Sequence, residues 1–289
     1  MASKRMLTAL NIAVSLLFIL SILLLLFPII SARYSEKTKS RIISQYTEAV
    51  CLSDDTAIQD IYDSAVGYND RLYERKIDTT TPEGLNAAGY FSQLSVNGQD
   101  MMGYLHIPKL NVISPIYHGT GEASMSRGIG HMPQSSLPVG GMNTHTVLSA
   151  HSGMAGFHGF SDLELLNPGD VFYIDVLGKT LAYEVYDIQT VLPDNIDPIQ
   201  IQDDEDLCTL ITCVPFGVNT HRLLVTGKRV QAMTKNDTSA VSADTSTEHH
   251  AETSIWLKNY LKAIAIGTAI ALGMTATICG VLAWRKIHI

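Results

Sequence analysis

From Met101 to Val230 the chain is a succession of short apolar and β-branched runs. They are Gly103–Ile107, Val112–Tyr117, Thr146–Ala150, Val171–Leu177, Thr180–Gln189, Cys208–Cys213 and Arg222–Val230, separated by turns rich in Gly, Pro and Asn. Runs this short cannot supply packed helices. Strands this frequent must cover one another as a barrel or a sandwich. The last two runs form the most sharply defined pair. Thr209-Leu-Ile-Thr-Cys213 is interrupted by Pro215, Phe216 and Gly217, with Asn219 and Thr220 continuing the turn, and a second apolar run starts at His221. Alternation along a strand puts Thr209, Ile211 and Cys213 on one face and Cys208, Leu210 and Thr212 on the other.

The flanks have a different texture. Met6 to Ile30 is almost wholly apolar and follows Lys4 and Arg5, long enough to cross a bilayer. The competing reading is a removed signal peptide with a weak cleavage point at Ile30-Ser-Ala32, and the length of the run favours an uncleaved anchor. A second apolar run, Ala263 to Trp284, lies between Lys258/Lys262 and Arg285/Lys286, with Trp284 as an interfacial anchor. Two spans place both termini on one side. Ile42, Ile43, Tyr46, Val50 and then Ile58, Ile61, Tyr62, Val66 have helical spacing. Asp78 to Gly84 reads as a breaker-rich loop, and Ser161 as the N-cap of a short helix. The expected organisation is an N-terminal anchor over 1–32, a helical segment and loop over 33–100, a β-barrel or sandwich over 101–232, a polar linker over 233–256, and a second membrane helix with a short basic tail over 257–289. The net charge of −8 argues against nucleic acid as a partner, because phosphate binding needs a basic surface.

The cysteines are Cys51, Cys208, Cys213 and Cys279. Their spacing matches no zinc pattern, and neither a metal nor a cofactor is implied. Cys208 and Cys213 point to opposite faces of one strand, so a disulfide between them is geometrically disfavoured. Cys213 ends its strand beside a loop, with Arg222 entering the next strand. A thiol at a strand end beside a guanidinium has what a nucleophile needs: some exposure and a nearby positive charge. The bland alternatives are a buried structural thiol and an exposed surface arginine. For a proton partner, His151 in Leu148-Ser-Ala-His-Ser-Gly153 also follows a strand and precedes a Gly-rich loop, so it could face Cys213 across a cleft. His145, His158 and His221 compete with it, although His221 alternates away from Arg222.

These motifs together resemble a known family. Thr209-Leu-Ile-Thr-Cys213 is similar to the Thr-Leu-x-Thr-Cys signature of sortases, the membrane-anchored cysteine transpeptidases of Gram-positive bacteria. Pro215 to Arg229 resembles the class C, pilin-polymerising branch. So do Met102 to Leu110, Pro115 to Thr120, Gly128-Ile-Gly-His131, Ser136 to Gly141 and Val176 to Tyr183. The resemblance covers about Asn97 to Val230. It implies a mainly β, sortase-like closed β-barrel with short helices, an N-terminal helical segment and two flanking transmembrane helices. It implies Cys213 as nucleophile, His151 as the acid and base, and Arg222 as the guanidinium on the following strand. Two departures stand out. The family histidine is often followed by Arg-Gly, whereas here Ser152-Gly153 follows. No Asp-Pro-aromatic triplet, the usual plug of a class C lid, occurs between Tyr34 and Met101.

The activity implied is cleavage of a sorting signal like Leu-Pro-x-Thr-Gly between Thr and Gly, with transfer of the acyl group to a pilin lysine. The partners implied are pilin subunits with such signals and acceptor lysines, together with the lipid bilayer. The catalytic domain would lie on the extracellular face of the cell membrane and both termini in the cytoplasm. Two alternatives stay open: attachment of surface proteins to a peptidoglycan-precursor amine, and a non-catalytic anchored β-domain.

Overall fold

The computed structural model describes residues 34–152 and 159–231 continuously, with scattered helical positions within 21–31 and 262–267. The chain divides into two compact units, Met1–Ala232 and Met233–Ile289. Both expected membrane spans fall largely outside the described residues. Among those described, no helix is long and apolar enough to cross a membrane.

Within the continuously described residues, the first unit has helix α1 over 34–52 and helix α2 over Asp55–Tyr73. Both helices dock through polar side chains on their apolar stripes. Tyr46 of α1 donates its hydroxyl to Met102 O at 3.0 Å and accepts from Leu177 N at 3.0 Å. Asn69 of α2 donates to Leu137 O and accepts from Leu137 N, at 3.1 and 2.7 Å. Such buried bonds matter because losing one partner strands the other, at roughly 1–3 kcal/mol. Helix α3, Pro82–Ala88, begins inside the stretch expected to be loop. Thr81 caps it by accepting from Gly84 N, and Pro82 sits in the first turn, where its missing N–H costs nothing.

Among the described residues eight strands follow: β1 Met101–Ile107, β2 Val112–His118, β3 Ile129–His131, β4 Thr144–Ser149, β5 Val171–Val176, β6 Lys179–Val191, β7 Asp206–Val214 and β8 His221–Val230. A four-residue helix α4, Glu122–Met125, lies between β2 and β3. The strands close into a barrel in the order β1-β2-β3-β4-β7-β8-β6-β5. The β2·β3 and β4·β7 pairs are parallel; the others are antiparallel.

All seven expected strands are present, and β3 is the one the sequence pattern does not reveal. Three residues are too few to show a period of two, and it is flanked on one side by the short α4. The expected Ser161 cap is also corrected: Leu163–Leu165 is a single 3₁₀ turn flanked by Asp162, too short to need the cap of an α-helix.

Alternation on β7 partitions as expected. Cys208 and Leu210 join the main core with Leu105, Ile116, Phe172, Ile174 and Val225. Ile211 instead joins Val147 and Leu224 in a small second cluster, covered by Met132, Val191 and Ile199.

Candidate active site

Strand β7 stops at Val214 because Pro215 cannot continue the ladder and the chain then turns through Gly217 and Asn219, both at positive φ. Val218 N and Asn219 N each donate to Pro215 O at 3.0 Å, closing the turn. The hairpin register then opposes Cys213 to Arg222. Directly opposed residues of an antiparallel pair share a face, with Cβ atoms roughly 5 Å apart. The thiol and the guanidinium are thus neighbours by register. Arg222 Nη1 donates to Asn219 O and to His221 O, each at 3.1 Å, so the side chain is braced against its own turn. A guanidinium has five N–H donors, and both of these bonds leave from Nη1.

His151 reaches the same end by a different route. Strand β4 runs parallel to β7, with Ser149 level with Ile211. The ladder continues past the strand ends: Ala150 N donates to Ile211 O at 3.2 Å, Thr212 Oγ1 to Ala150 O at 2.9 Å, and Ser152 Oγ to Cys213 O at 2.7 Å. His151 lies between these last two contacts, and its own carbonyl accepts from Phe160 N at 3.1 Å. His151 and Cys213 sit side by side at the tips of adjacent parallel strands, because parallel strands end on the same side of the barrel. The imidazole is about one-third exposed, and its Nε2 lies 3.6 Å from Glu122 Oε2 on α4.

The competing histidines are placed elsewhere. His145 is fully buried within β4, and burial lowers its pKa. Its Nδ1 donates to Gln200 O at 2.8 Å, so Nε2 accepts from Thr209 Oγ1 at 2.6 Å. Both nitrogens are taken up inside the barrel wall, where β4 runs level with Leu207 and not with the strand tip that carries Cys213. His221 lies opposite Val214 and contacts Thr220 Oγ1. His158 is outside the described residues. Among the cysteines, Cys51, Cys208 and Cys213 are free thiols. Cys208 is sealed in the core, where burial holds its thiol well above the usual range. Cys213 is half-buried.

Sequence reasoning did not single out Glu122 or the contact made by Ser152. Glu122 lies 29 positions before His151 with no local pattern linking them. Ser152 drew notice only as a departure from Arg-Gly, and its bond to Cys213 depends on the parallel pairing.

This architecture has close counterparts. The family model for the sortase domain matches residues 105–230. The crystal structure of sortase C1 from Streptococcus agalactiae superposes with a TM-score of 0.63 at 40% identity, covering 66% of this chain and 98% of that one. Sortase C from Clostridium perfringens, solved with the C-terminal cell wall sorting motif, gives a TM-score of 0.59 at 42% identity over 66% and 98%. Sortase D of Bacillus subtilis (strain 168) is 32% identical over 131 residues, 44% of this chain and 63% of that protein. Matches to the curated relatives span 40% to 65% of their lengths. The chain belongs to the sortase family, and its solved relatives place it in class C.

Proposed function

We propose that this chain is a membrane-anchored cysteine transpeptidase that builds covalent pili. The observation that carries the reading is the convergence of three chain segments on one barrel end: Cys213 opposite Arg222 on the hairpin, and His151 beside Cys213 on the parallel strand. The Cys213 thiolate attacks the threonine carbonyl of a Leu-Pro-x-Thr-Gly-like signal. Arg222 donates to the developing oxyanion or to the substrate backbone. The Thr–Gly C–N bond breaks as His151, as imidazolium, gives its proton to the leaving glycine amine. A thioester remains on Cys213. A pilin lysine amine then attacks it, returns a proton to His151 and releases the thiolate, leaving an isopeptide bond.

The class C relatives support the pilin assignment, one of them being a Streptococcus pneumoniae sortase C whose structure bears on pilin substrate specificity. The apolar runs Met6 to Ile30 and Ala263 to Trp284 support two-pass anchoring, with both termini cytoplasmic and the barrel outside. Anchoring holds the enzyme where tethered substrates emerge, which raises effective concentration.

The test is to incubate the chain with a sorting-signal peptide and either a pilin domain bearing its acceptor lysine or a peptidoglycan-precursor amine. A thioacyl adduct on Cys213 resolved by the pilin lysine is expected. Resolution by the precursor amine alone would replace polymerisation with cell-wall attachment. No adduct at all would leave an anchored β-domain.

A further inference from the structure

The tips of β4 and β7 are joined by more than the backbone ladder. Beyond the Ala150 N to Ile211 O bond, regular pairing gives way to two crossed hydroxyl bonds. Thr212 Oγ1 reaches from β7 to Ala150 O at 2.9 Å, and Ser152 Oγ reaches back to Cys213 O at 2.7 Å. The two bonds bracket the imidazole-bearing residue on one side and end on the carbonyl of the thiol-bearing residue on the other. β4 ends at Ser149, so beyond Ile211 the β4-facing edge of β7 has no strand to pair with. Here the carbonyl of Cys213 is held by the residue next to His151.

We infer that Ser152 is a positioning residue that fixes the separation and orientation of Cys213 relative to His151. The inference rests on the transpeptidase reading above. Ser152 acts through backbone geometry: its hydroxyl holds Cys213 O, while Phe160 N holds His151 O from the far side at 3.1 Å. Attack by the Cys213 thiolate and protonation of the leaving amine by His151 act on one substrate bond, so both need a set geometry, and displacements on the order of 1 Å cost about 10²-fold in well-organised sites. The single 2.7 Å bond thus bears on turnover far more than on global stability. The charged and titratable groups around His151 are the Glu122 carboxylate on α4, at 3.6 Å, and on the neighbouring strands Cys213 of β7 and, opposite it, Arg222 of β8.

The test uses the full-length chain in detergent with the substitutions Ser152→Ala and Ser152→Thr, threonine retaining the hydroxyl. The readouts are kcat and KM for a sorting-signal peptide, the melting temperature, and the pH profile of Cys213 alkylation by iodoacetamide followed by peptide mass. Ser152→Ala should lower kcat about tenfold with KM within twofold, and displace the alkylation profile from that of the unsubstituted chain. Ser152→Thr should restore both. Unchanged kcat in Ser152→Ala, or Ser152→Thr as impaired as Ser152→Ala, would overturn the inference. So would a rise in KM alone, since that would make Ser152 a substrate contact. The alkylation readout needs no substrate. If the unsubstituted chain cleaved no peptide, a profile displaced in Ser152→Ala and restored in Ser152→Thr would still support the positioning role while the transpeptidase reading fell.

Discussion

The β7–β8 hairpin has an arginine beside a titratable group at each end, and the two ends behave differently. At the start of β7, Asp206 accepts from Tyr183 OH at 2.9 Å and from Gly141 N at 2.8 Å, and Arg229 Nη1 lies 3.8 Å away. Its side chain is one-tenth exposed. Burial raises the pKa of this carboxyl against the pull of those donors. At the far end, Cys213 is half-buried and faces Arg222, whose bonds run to its own turn and not to the thiol. One end is a saturated structural network; the other keeps a nucleophile and a donor available. The two cysteines of β7 repeat the contrast, since Cys208 faces the core and Cys213 the strand end. Reactivity follows the unsaturated end of the strand more than the residue type.

The comparison breaks most visibly at Cys213. Cys213→Ala should abolish the thioacyl adduct while leaving the fold, as read by mass spectrometry and thermal melting. Cys208→Ala should keep turnover and cost about 1 kcal/mol of stability, the small side chain leaving a small cavity. Retained turnover in Cys213→Ala would end the assignment.

Arg222→Ala should cost about 10²–10³ in kcat/KM, the usual loss for one oxyanion donor, with an unchanged melting temperature. A variant that lost stability instead would make Arg222 resemble Arg229.

A buried imidazole sharpens the comparison through pH. His131 is fully buried, and burial holds its pKa down at about 4. Its Nε2 donates to Ser136 O at 2.8 Å, so Nδ1 accepts from Tyr90 OH at 2.9 Å. A depressed histidine pKa means that the unfolded chain binds the proton first as pH falls. Its contribution to stability is therefore complete above pH 6.5, the ordinary value, and is lost as pH falls toward about 4. At about 1.4 kcal/mol per pH unit, that loss is roughly 3 kcal/mol. Burial lowers the pKa of His118 as well, and it acts in the same direction. Urea denaturation at pH 7 and pH 4 measures the loss, and His131→Asn should flatten it.

Asp206→Ala should cost roughly 2–3 kcal/mol, because Arg229, Tyr183 and Gly141 N lose their shared acceptor. Activity per folded molecule should not change. A drop in kcat without a drop in stability would show that the two ends communicate. The smallest effect belongs to Glu122→Gln. Its carboxylate is about three-quarters exposed, so its ion pair with His151 is heavily screened, and kcat should change by less than about twofold.

Much of this was legible along the chain. The strand pattern marked seven of the barrel's strands, and the Pro-Phe-Gly break set Cys213 at a strand end with Arg222 entering the next strand; the register that opposes them is seen in the structure. Helical spacing located α1 and α2 because their apolar stripes are regular. The strand β3 and the contact of Glu122 with His151 were not legible, one being too short for a period and the other linking distant positions.

The sequence by itself determined what is local: where strands start and stop, which face each residue takes, and the pairing across a tight turn. Only the tertiary structure decided that β4 lies parallel to β7, level at Ser149 and Ile211. Parallel strands need a long crossover, and here β5 and β6 intervene in the chain. No short-range pattern records which strand will be met after such an excursion. The placement of His151 and Ser152 beside Cys213 is a consequence of that parallel pairing.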